Sequence, residues 1–503
     1  MARDRTQWAT EVGSSRGGSR VAHLTRRAMS ESTGQSVAIA VVGSGYVGLV
    51  AAACFAEIGH RVVGVDNDEA RVRKLQDGKV PIHEEYLPEL LTRARANGLT
   101  FTSDLRAATQ SAQVVFIAVG TPQSLTGSAD LSYVDAVASE IARSIDDYKI
   151  IVEKSTVPVY TNEWIRRVME RNGVSRDLFD VASNPEFLRE GTAVSDFLHP
   201  DRIVVGAETV RAAELLRKIY QPLTSGEYYG LVNAVPGVRS EGEPPPLLLT
   251  STKAAEVIKH ASNALLATKI SFINVVANIC EVAGVDVEEV ARGIGLDSRI
   301  GPKFLRAGIG YGGSCFPKDV AAFRYAAEQM GIDFCLLKEV EKINEEQKRR
   351  FFQKVRSALW TFRGKKLGVL GLAFKGGTDD VRESPAVDLV QQLLKEGCVI
   401  SAYDPAAEER AKEVIPESAS MRYVKDPYAA AQSADALLIL NDWQEFAELD
   451  LDRLQRTLRY PIVIDGRNLY DPAVMRERAF TYLSVGRPDF PRASKATASA
   501  RSN

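Results

Sequence analysis

Val37-Ala-Ile-Ala-Val-Val-Gly43-Ser-Gly45-Tyr-Val-Gly48 is the stretch that decides the fold of this chain. Its six apolar residues predict a buried parallel strand, and the G-x-G-x-x-G spacing predicts a tight turn into a helix that runs to about Ile58. A second predicted strand, Arg61–Val65, ends at Asp66. Such a βαβ unit accepts a pyrophosphate at the helix N-terminus. Asp66 suits two ribose hydroxyls and repels a 2′-phosphate, so NAD is favoured over NADP; a tight turn without ligand is the alternative.

The sheet is predicted to continue beyond this unit. Further strands are expected at Val114–Val119, Ile150–Glu153 and Ile203–Val205. Thr121 and Thr156 follow the first two, and hydroxyl-bearing turns at strand carboxyl ends line the crevice of doubly wound sheets. Simple turn or capping chemistry is the competing interpretation of both threonines.

A long helix is predicted after this first domain. From Ser251 or Thr252, which are candidate N-caps, a helical pattern runs about thirty residues to Gly284 and is apolar on more than one face. Lys259 and Asn263 are four residues apart on it. A buried lysine needs a charged partner or a chemical role, whereas a surface ladder with Glu256 would need neither.

The glycine-rich loop Gly308-Ile-Gly-Tyr-Gly-Gly-Ser-Cys315-Phe-Pro-Lys-Asp319 is the candidate for nucleophilic catalysis. Pro317 suits a first helical turn, which would place Cys315 at a helix N-terminus. There the helix dipole and Lys318 are expected to favour the thiolate. Asp319 follows Cys315 by four residues, on the same helical face. A buried, inert cysteine is the alternative.

Charged side chains at two other places are candidate ligands. Glu186 and Glu190 would face one pocket if their segment turned helically; exposed, solvated glutamates are the alternative. Arg467 follows the predicted strand Pro461–Ile464, where it is placed to hold a phosphate.

A second doubly wound domain is predicted from residue 360 onward, without the third glycine of a dinucleotide site. Its strands and first helix are expected at Lys366–Leu370, Val387–Leu394 (helix), Val399–Tyr403, Ala434–Leu440 and Pro461–Ile464. The predicted divisions of the whole chain are a disordered extension (1–35), an NAD-binding domain (36–220), a loop or linker (221–250), a central helical domain with the cysteine loop (251–345), a C-terminal Rossmann-like domain (360–486) and a disordered tail (487–503).

Composition limits the class of protein. The 503 residues are 45% hydrophobic and 25% charged, as in ordinary soluble proteins, and the net charge of −2 argues against nucleic acid as a partner. The five cysteines and five histidines are scattered, without metal-ligand spacing. This usage favours a reducing cytoplasm and no disulfide framework. No apolar run approaches the roughly 20 residues of a membrane helix.

Six motifs together resemble the UDP-glucose/GDP-mannose dehydrogenase family, over roughly residues 37–480. They occur in this order: Gly43-Ser-Gly-Tyr-Val-Gly48, Lys154-Ser-Thr-Val-Pro158, Asn184-Pro-Glu-Phe-Leu-Arg-Glu190, Gly310-Tyr-Gly-Gly-Ser-Cys-Phe-Pro-Lys-Asp319, Gly371-Leu-Ala-Phe-Lys375 and Asp379-Asp-Val-Arg-Glu-Ser-Pro385. The resemblance implies an α/β fold of two Rossmann-like doubly wound domains joined by a long central helix that also builds a homodimer or a higher homo-oligomer. It implies four-electron oxidation of a sugar C6 alcohol to a carboxylate with two NAD⁺ and one cysteine.

The resemblance also implies roles for individual residues. The implied catalytic residues are Cys315 as nucleophile, with Lys259, Asp319, Thr156 and Glu190, the last as a base in thioester hydrolysis. The implied NAD contacts are Gly43, Gly45, Tyr46, Val47, Gly48, Asp66, Arg71, Thr121, Thr156, Glu190, Lys318 and Arg382. The implied nucleotide-sugar contacts are Glu186, Phe187, Leu188, Lys259, Asn263, Arg299 (reaching a neighbouring subunit's substrate), Phe304, Leu305, Gly308, Gly312, Phe316, Lys375 and Arg467.

Within the family, UDP-glucose is the expected substrate, and GDP-mannose or a UDP-N-acetylhexosamine is the alternative. A non-catalytic NAD-binding protein is the hypothesis from another class, and the intact Cys315, Lys259 and Asp319 speak against it. The sequence departs from the usual family pattern at Lys375-Gly-Gly-Thr378, at Pro81-Ile-His-Glu-Glu85 and at Tyr160, but none of these departures removes a predicted catalytic group.

Overall fold

The computed structural model describes residues 36–123, 129–237 and 243–488. The predicted disordered extension (1–35) lies outside the described residues, as does the predicted tail from residue 489 onward. Arg487 was predicted to belong to that tail, but it is buried; its Nε lies 3.0 Å from Oδ1 of Asp286, and its Nη1 donates to the carbonyl of Tyr470.

An eight-stranded sheet forms the first part of the molecule. Its strands are β1 (Ala38–Val42), β2 (Arg61–Val65), β3 (Thr100–Thr102), β4 (Val114–Ile117), β5 (Lys149–Glu153), β6 (Phe179–Ser183), β7 (Ile203–Ala207) and β8 (Leu247–Thr250). The order across the sheet is β3-β2-β1-β4-β5-β6-β7-β8, and only the β6–β7 pair is antiparallel. Strands β1, β4 and β5 are buried along their whole length, as predicted for central strands of a parallel sheet covered on both faces.

Helices follow most of these strands. They span Tyr46–Glu57, Glu69–Gln76, Leu87–Ala96, Leu105–Ser111, Ser132–Ser144, Thr161–Arg171, Ala193–Leu198 and Val210–Thr224. The helix that follows the glycine turn is buried from Gly48 to Glu57, because small residues let it pack closely on the sheet.

The described parts of residues 221–250, 221–237 and 243–250, contain regular structure where a loop or linker was predicted. They include the last turn of the helix that ends at Thr224, a short 3₁₀ turn at Glu227–Gly230 and strand β8. Strand β8 pairs in parallel with β7, in the register Ile203 to Leu247. This edge strand was not predicted, because the prolines just before Leu247 suggested a turn.

The predicted long helix spans Thr252–Ala283. Ser251 is its N-cap, with its hydroxyl accepting from the backbone N–H of Ala254 at 3.2 Å, and Gly284 ends it at φ 74°. Length and hydropathy would allow this helix to cross a membrane, but core helices of soluble proteins meet the same test. Three helices accompany it in the middle of the chain: Val287–Gly295, Phe316–Gln329 and Cys335–Leu359.

A six-stranded parallel sheet forms the last part of the molecule. Its strands are β9 (Lys366–Leu370), β10 (Val399–Tyr403), β11 (Met421–Tyr423), β12 (Ala436–Ile439), β13 (Ile462–Asp465) and β14 (Thr481–Ser484), in the order β11-β10-β9-β12-β13-β14. Its helices span Pro385–Lys395, Glu408–Val414, Pro427–Ala431, Gln444–Ala447, Leu451–Thr457 and Pro472–Glu477. The predicted fold class, two doubly wound α/β domains and a long central helix, is confirmed. The carboxyl ends of both sheets are where such folds bind ligands.

Candidate active site

The glycine turn after β1 leaves an open cradle at a helix N-terminus. A Cβ at Gly48 would lie 1.8 Å from the carbonyl oxygen of Gly43, and one at Gly43 would lie 2.6 Å from that of Ala118. Around Gly45 no atom would come within 4 Å of a Cβ, and no side chain caps the helix that starts at Tyr46. Free backbone N–H groups beside open space fit a pyrophosphate, so the predicted NAD site is compatible with this backbone.

Asp66 is held at the end of β2, beside that turn. Its Oδ2 accepts from the backbone N–H of Ser44 at 2.8 Å, and its Oδ1 accepts from Asp68 N–H at 2.9 Å. The guanidinium of Arg71 lies 3.3 Å from Oδ2. These contacts hold the carboxylate in place beside the glycine turn, and its contact with a ribose stays a prediction.

The two threonine turns meet at the same edge of the sheet. The hydroxyl of Thr121 donates to the carbonyl oxygen of Thr156 at 2.9 Å. The bond joins two neighbouring turns rather than closing one of them. Val47, on the first turn of the helix after Gly45, is half-buried.

Cys315 is the N-cap of the helix Phe316–Gln329, as predicted, with Pro317 in its first turn. The loop before it packs against the C-terminal domain so closely that a Cβ at Gly312 would lie 2.1 Å from the carbonyl oxygen of Glu383. Ser314 Oγ is 3.6 Å from the sulfur. The cysteine therefore lies where the cysteine loop meets the C-terminal domain.

The expectation that Lys318 favours the thiolate is wrong. Burial raises the pKa of Cys315 to about 12, helped by the charges of Glu186 and Asp319 and opposed by Lys259. The Lys318 ammonium is instead 2.7 Å from Oδ1 of Asp319. The sequence order suggested the wrong lysine, because the carboxylates come from distant segments.

Lys259 forms a buried ion pair with Glu186, not a surface ladder with Glu256. Its Nζ lies 2.9 Å from Oε1 of Glu186, and both side chains are 5% exposed. Burial alone would lower the pKa of Lys259, but the charges of Glu186 and Asp319 raise it, so the ammonium is retained. Glu256 accepts hydrogen bonds from Tyr160 N–H and Asn162 N–H at the start of another helix.

Asp319 and Asn263 complete the surroundings of the thiol. Asn263 Nδ2 donates to Oδ2 of Asp319 at 2.6 Å, and Asp319 is fully buried. Burial would raise the pKa of Asp319, but Lys318, Lys259 and His260 hold it below its usual value. A fixed negative and a fixed positive group thus flank the same sulfur.

Glu190 reaches the site from a segment that is not helical. Residues 184–189 have no regular secondary structure, so a helical turn does not bring the two glutamates together, but neither Glu186 nor Glu190 is exposed. Glu190 Oε1 accepts from the hydroxyl of Ser314 at 2.9 Å and lies 3.4 Å from Nη2 of Arg382. Burial and the contact with Asp380 raise the pKa of Glu190 above its ordinary value.

Aromatic rings lie beside Lys259 and beside the cysteine loop. Arg202 stacks on the ring of Phe187 at 3.6 Å from its centroid, and the ammonium of Lys259 is 5.4 Å from the same ring. The Leu188 N–H donates to Oε2 of Glu186 at 2.7 Å. Phe316 contacts Phe304 edge to face, 6.2 Å between centroids.

A second group of predicted ligands lies at the carboxyl ends of the C-terminal strands. Arg467 is half-buried; its Nη2 donates to the carbonyl of Phe374 at 2.7 Å, and a Cβ at Gly308 would lie 3.2 Å from its Nη1. Burial lowers the pKa of Lys375. Leu305 belongs to the hydrophobic core. These cations converge on one end of the sheet, as a phosphate site requires.

Arg299 is not brought into this chain's site. Its side chain is 87% exposed and pairs with Asp297, with 2.6 Å between Nη2 and Oδ2. Its predicted role in a neighbouring subunit's site stays a prediction.

Three residues of the site were not predicted. Ser314 links Glu190 to the sulfur, and Asp380 contacts both Glu190 and Arg382. Lys154 is buried beside Asn184, with its pKa lowered by burial to about 8. All three stand inside quoted motifs, and that was the only signal available. In the described ranges no cluster of three or more metal-ligating side chains was found.

Comparisons with known proteins agree with this geometry. Models of the UDP-glucose/GDP-mannose dehydrogenase family match in three parts: the NAD binding domain at residues 37–224, the central domain at 253–346 and the UDP binding domain at 368–472. UDP-glucose 6-dehydrogenase TuaD of Bacillus subtilis (strain 168) is 44% identical over 451 residues, which is 90% of this chain and 93% of that protein. A UDP-glucose 6-dehydrogenase of Rhizobium meliloti (strain 1021) is 44% identical over 456 residues, 90% of this chain and all of its own length.

Solved structures show the same architecture. A UDP-glucose dehydrogenase from the hyperthermophilic archaeon Pyrobaculum islandicum matches with a TM-score of 0.77 and 40% identity, covering 86% of this chain and 94% of its own. A UDP-D-ManNAc dehydrogenase from Pyrococcus horikoshii matches with a TM-score of 0.76 and 27% identity, covering 90% of this chain and 100% of its own.

Proposed function

Because this chain belongs to the UDP-glucose/GDP-mannose dehydrogenase family, we propose that it oxidises UDP-glucose to UDP-glucuronate with two molecules of NAD⁺. The observation that carries the proposal is a cysteine flanked by a buried lysine and a buried aspartate, at the junction of a dinucleotide cradle and a second Rossmann-like domain. An alcohol dehydrogenase that stops at the aldehyde needs no such cysteine.

The cofactor is proposed to lie over the glycine turn. Gly43, Gly45 and Gly48 leave room for the pyrophosphate, Tyr46 and Val47 open the helix, and Asp66 takes the ribose. NAD, when bound, accepts hydride. The remaining proposed contacts come from the neighbouring turns and the second domain: Arg71, Thr121, Thr156, Glu190, Lys318 and Arg382.

The substrate is proposed to bridge the two domains. Lys375, Arg467 and Gly308 would hold the nucleotide end. Asn263 would hold the sugar. The other proposed contacts with the nucleotide sugar are Phe187, Leu188, Phe304, Leu305, Gly312 and Phe316. This direction leads the sugar C6 towards Cys315.

The proposed chemistry has two oxidations and one hydrolysis. The C6 alcohol loses a proton and a hydride and becomes an aldehyde. The sulfur of Cys315 loses its proton and adds to that carbonyl, and the ammonium of Lys259 stabilises the oxyanion of the thiohemiacetal. A second hydride leaves, which gives a thioester. Water then releases the carboxylate and returns the thiol, with Asp319, Thr156, Glu186 and Glu190 supporting these proton transfers.

The yield of NADH tests this function. Purified protein given limiting UDP-glucose is expected to form two NADH per sugar, and Cys315→Ser is expected to abolish the second oxidation. One NADH per sugar, or full yield from the Ser variant, would rule out the covalent route. Turnover of GDP-mannose or a UDP-N-acetylhexosamine with none of UDP-glucose would favour the alternative substrates.

The assembly is proposed to be at least a dimer built on the central helix. Leu265, Phe272 and Ile279 are exposed at intervals of seven residues, and Val282 is 92% exposed. Beside them a cavity of about 490 Å³ opens between this helix and the helix Cys335–Leu359, lined by Val275, Asn278, Ile279, Val282, Ala283, Ile343, Glu346 and Arg350. Sedimentation of Ile279→Glu is expected to show monomers. Monomers of the unchanged protein would refute the proposal.

A cytoplasmic location is also proposed. All five cysteines are free, which supports a reducing compartment.

A further inference from the structure

Two buried carboxyl groups from different domains touch beside the reactive sulfur. Glu190 belongs to the N-terminal domain, and Asp380 belongs to the loop after β9 in the C-terminal domain. Nη2 of Arg382 lies 2.7 Å from Oδ2 of Asp380 and 3.4 Å from Oε1 of Glu190, so one guanidinium holds the two carboxyl groups together. Two ionised carboxylates held this close repel each other, which favours a proton on one of them.

The remaining oxygen of Glu190 shows where that proton lies. Oε1 accepts from Ser314, whereas Oε2 is buried with no donor among the residues that the structure describes. An unpaired buried oxygen is costly, and protonation of Glu190 removes that cost by turning it into a donor to Asp380. Asp380 is the better anion of the two, because Arg382 donates to it through its backbone N–H, Nε and Nη2.

Other charged groups around Glu190 do not cancel this effect. Arg382 is shared with Asp380, the charge of Lys375 also acts on Glu190, and Cys315 is kept uncharged at rest by burial. The neighbouring backbone N–H of Gly191 donates hydrogen bonds to Oε2 of Glu84 and to the hydroxyl oxygen of Tyr46. The hydroxyl of Ser314 therefore lies between Glu190 and the sulfur of Cys315, and the negatively charged Asp380 lies next to Glu190.

We propose that Asp380 is a positioning residue that strengthens Glu190 as the base taking a proton from the water that attacks the Cys315 thioester. The water oxygen bonds to the thioester carbon, its proton moves to Glu190, the carbon–sulfur bond breaks, and the sulfur leaves with the bonding electrons and is reprotonated. A like charge in contact with Glu190 makes its ionised form a stronger proton acceptor. The inference rests on the proposed function and adds a residue to its last step.

The test is Asp380→Asn in the full-length protein, with Asp379→Asn as matched control. Asp379 also pairs with an arginine, at 2.9 Å from Arg410, but it has no part in the site. In D380N the acid limb of the kcat profile is expected to move down by about one pH unit, and the high-pH plateau is expected to fall by up to about tenfold, because Glu190 ionises more easily and accepts protons less strongly. KM for UDP-glucose is expected to stay unchanged.

Mass spectrometry of acid-quenched enzyme supplies a second readout. During turnover, D380N is expected to carry the sugar as a thioester on Cys315, whereas wild type and D379N are not. A uniform loss of rate with an unmoved acid limb, or no thioester, would overturn the inference. If D380N does not fold, Asp380→Ser replaces it with the same expectations. Failure of the wild type to yield two NADH would instead overturn the proposed function.

Discussion

At the scale of single residues, the ion pair between Lys259 and Glu186 decides both stability and chemistry. Removing one member of a buried pair leaves the other charge without compensation. We expect Lys259→Ala to lower the free energy of unfolding by about 3–5 kcal/mol in urea titrations and to abolish turnover. The double variant Lys259→Ala, Glu186→Ala should recover part of the stability and none of the activity. A double variant that is less stable than the single one would contradict this account.

Glu84 gives the molecule a pH-dependent stability. Burial raises the pKa of Glu84 to about 7, against the hydrogen bonds that it accepts from Gly191 N–H and Val194 N–H. Because the folded pKa is raised, the folded state binds more protons, so this contribution is full below about pH 4.5 and is lost as pH rises through about 7. The loss amounts to about 3 kcal/mol.

We therefore expect Glu84→Gln to flatten the decline of stability between pH 5 and pH 8, as measured by urea unfolding at each pH. Glu85→Gln, a change at the exposed neighbour, is the control and should leave the decline intact. Parallel pH curves for wild type and E84Q would show that burial of this carboxyl has no such effect.

The sequence predicted which candidate residues lie together more reliably than how they pair. Lys259 was expected to need a partner, but Glu186 lies 73 positions earlier and reaches it only because β6 and the central helix pack together. The protonation of Cys315 was predicted wrongly for the same reason. Local sequence shows Lys318, whereas burial and the carboxylates of Glu186 and Asp319 come from tertiary structure.

At the scale of elements, strong local signals gave correct boundaries. Ser251 and Gly284 mark both ends of the central helix, because cap chemistry is local. We expect Ser251→Ala to cost about 1 kcal/mol of stability in chemical denaturation, without a change in KM. Ser262→Ala is the control, since its hydroxyl only donates back to the carbonyl of Ile258 within the helix. Equal losses from both variants would mean that the cap contributes nothing specific.

Elements with weak local signals were predicted less well. Strand β8 was assigned to a linker, because its pairing with β7 is the contact that defines it. Glu186 and Glu190 were expected to share a pocket only if their segment turned helically, but residues 184–189 have no regular secondary structure. Spacing predicts a shared face only where a helix is already established.

At the scale of the whole molecule, the two domains are in close backbone contact at Gly191. A Cβ at Gly191 would lie 2.1 Å from the carbonyl oxygen of Gly377 in the other domain. We expect Gly191→Ala to prevent this approach and to lower kcat/KM by on the order of a hundredfold, because small misplacements of reacting groups are costly. Steady-state kinetics and NAD⁺ titration would separate closure from cofactor binding.

Gly173 offers the matched control for Gly191. Both have similar positive φ angles, 85° and 88°, but a Cβ at Gly173 would meet nothing within 4 Å. Gly173→Ala therefore carries the same backbone strain without the steric clash, and its kinetics should stay normal. If both variants lost activity equally, backbone strain rather than interdomain contact would be responsible.

The raised pKa of Cys315 has a consequence for its reactivity towards oxidants. A sulfur that keeps its proton until an aldehyde arrives reacts slowly with peroxide and with alkylating reagents, both of which attack thiolates. Exposed Cys335 stands open to the same reagents. Mild oxidants or thiol labels should therefore modify Cys335 before Cys315, and the enzyme should keep its activity while they do so.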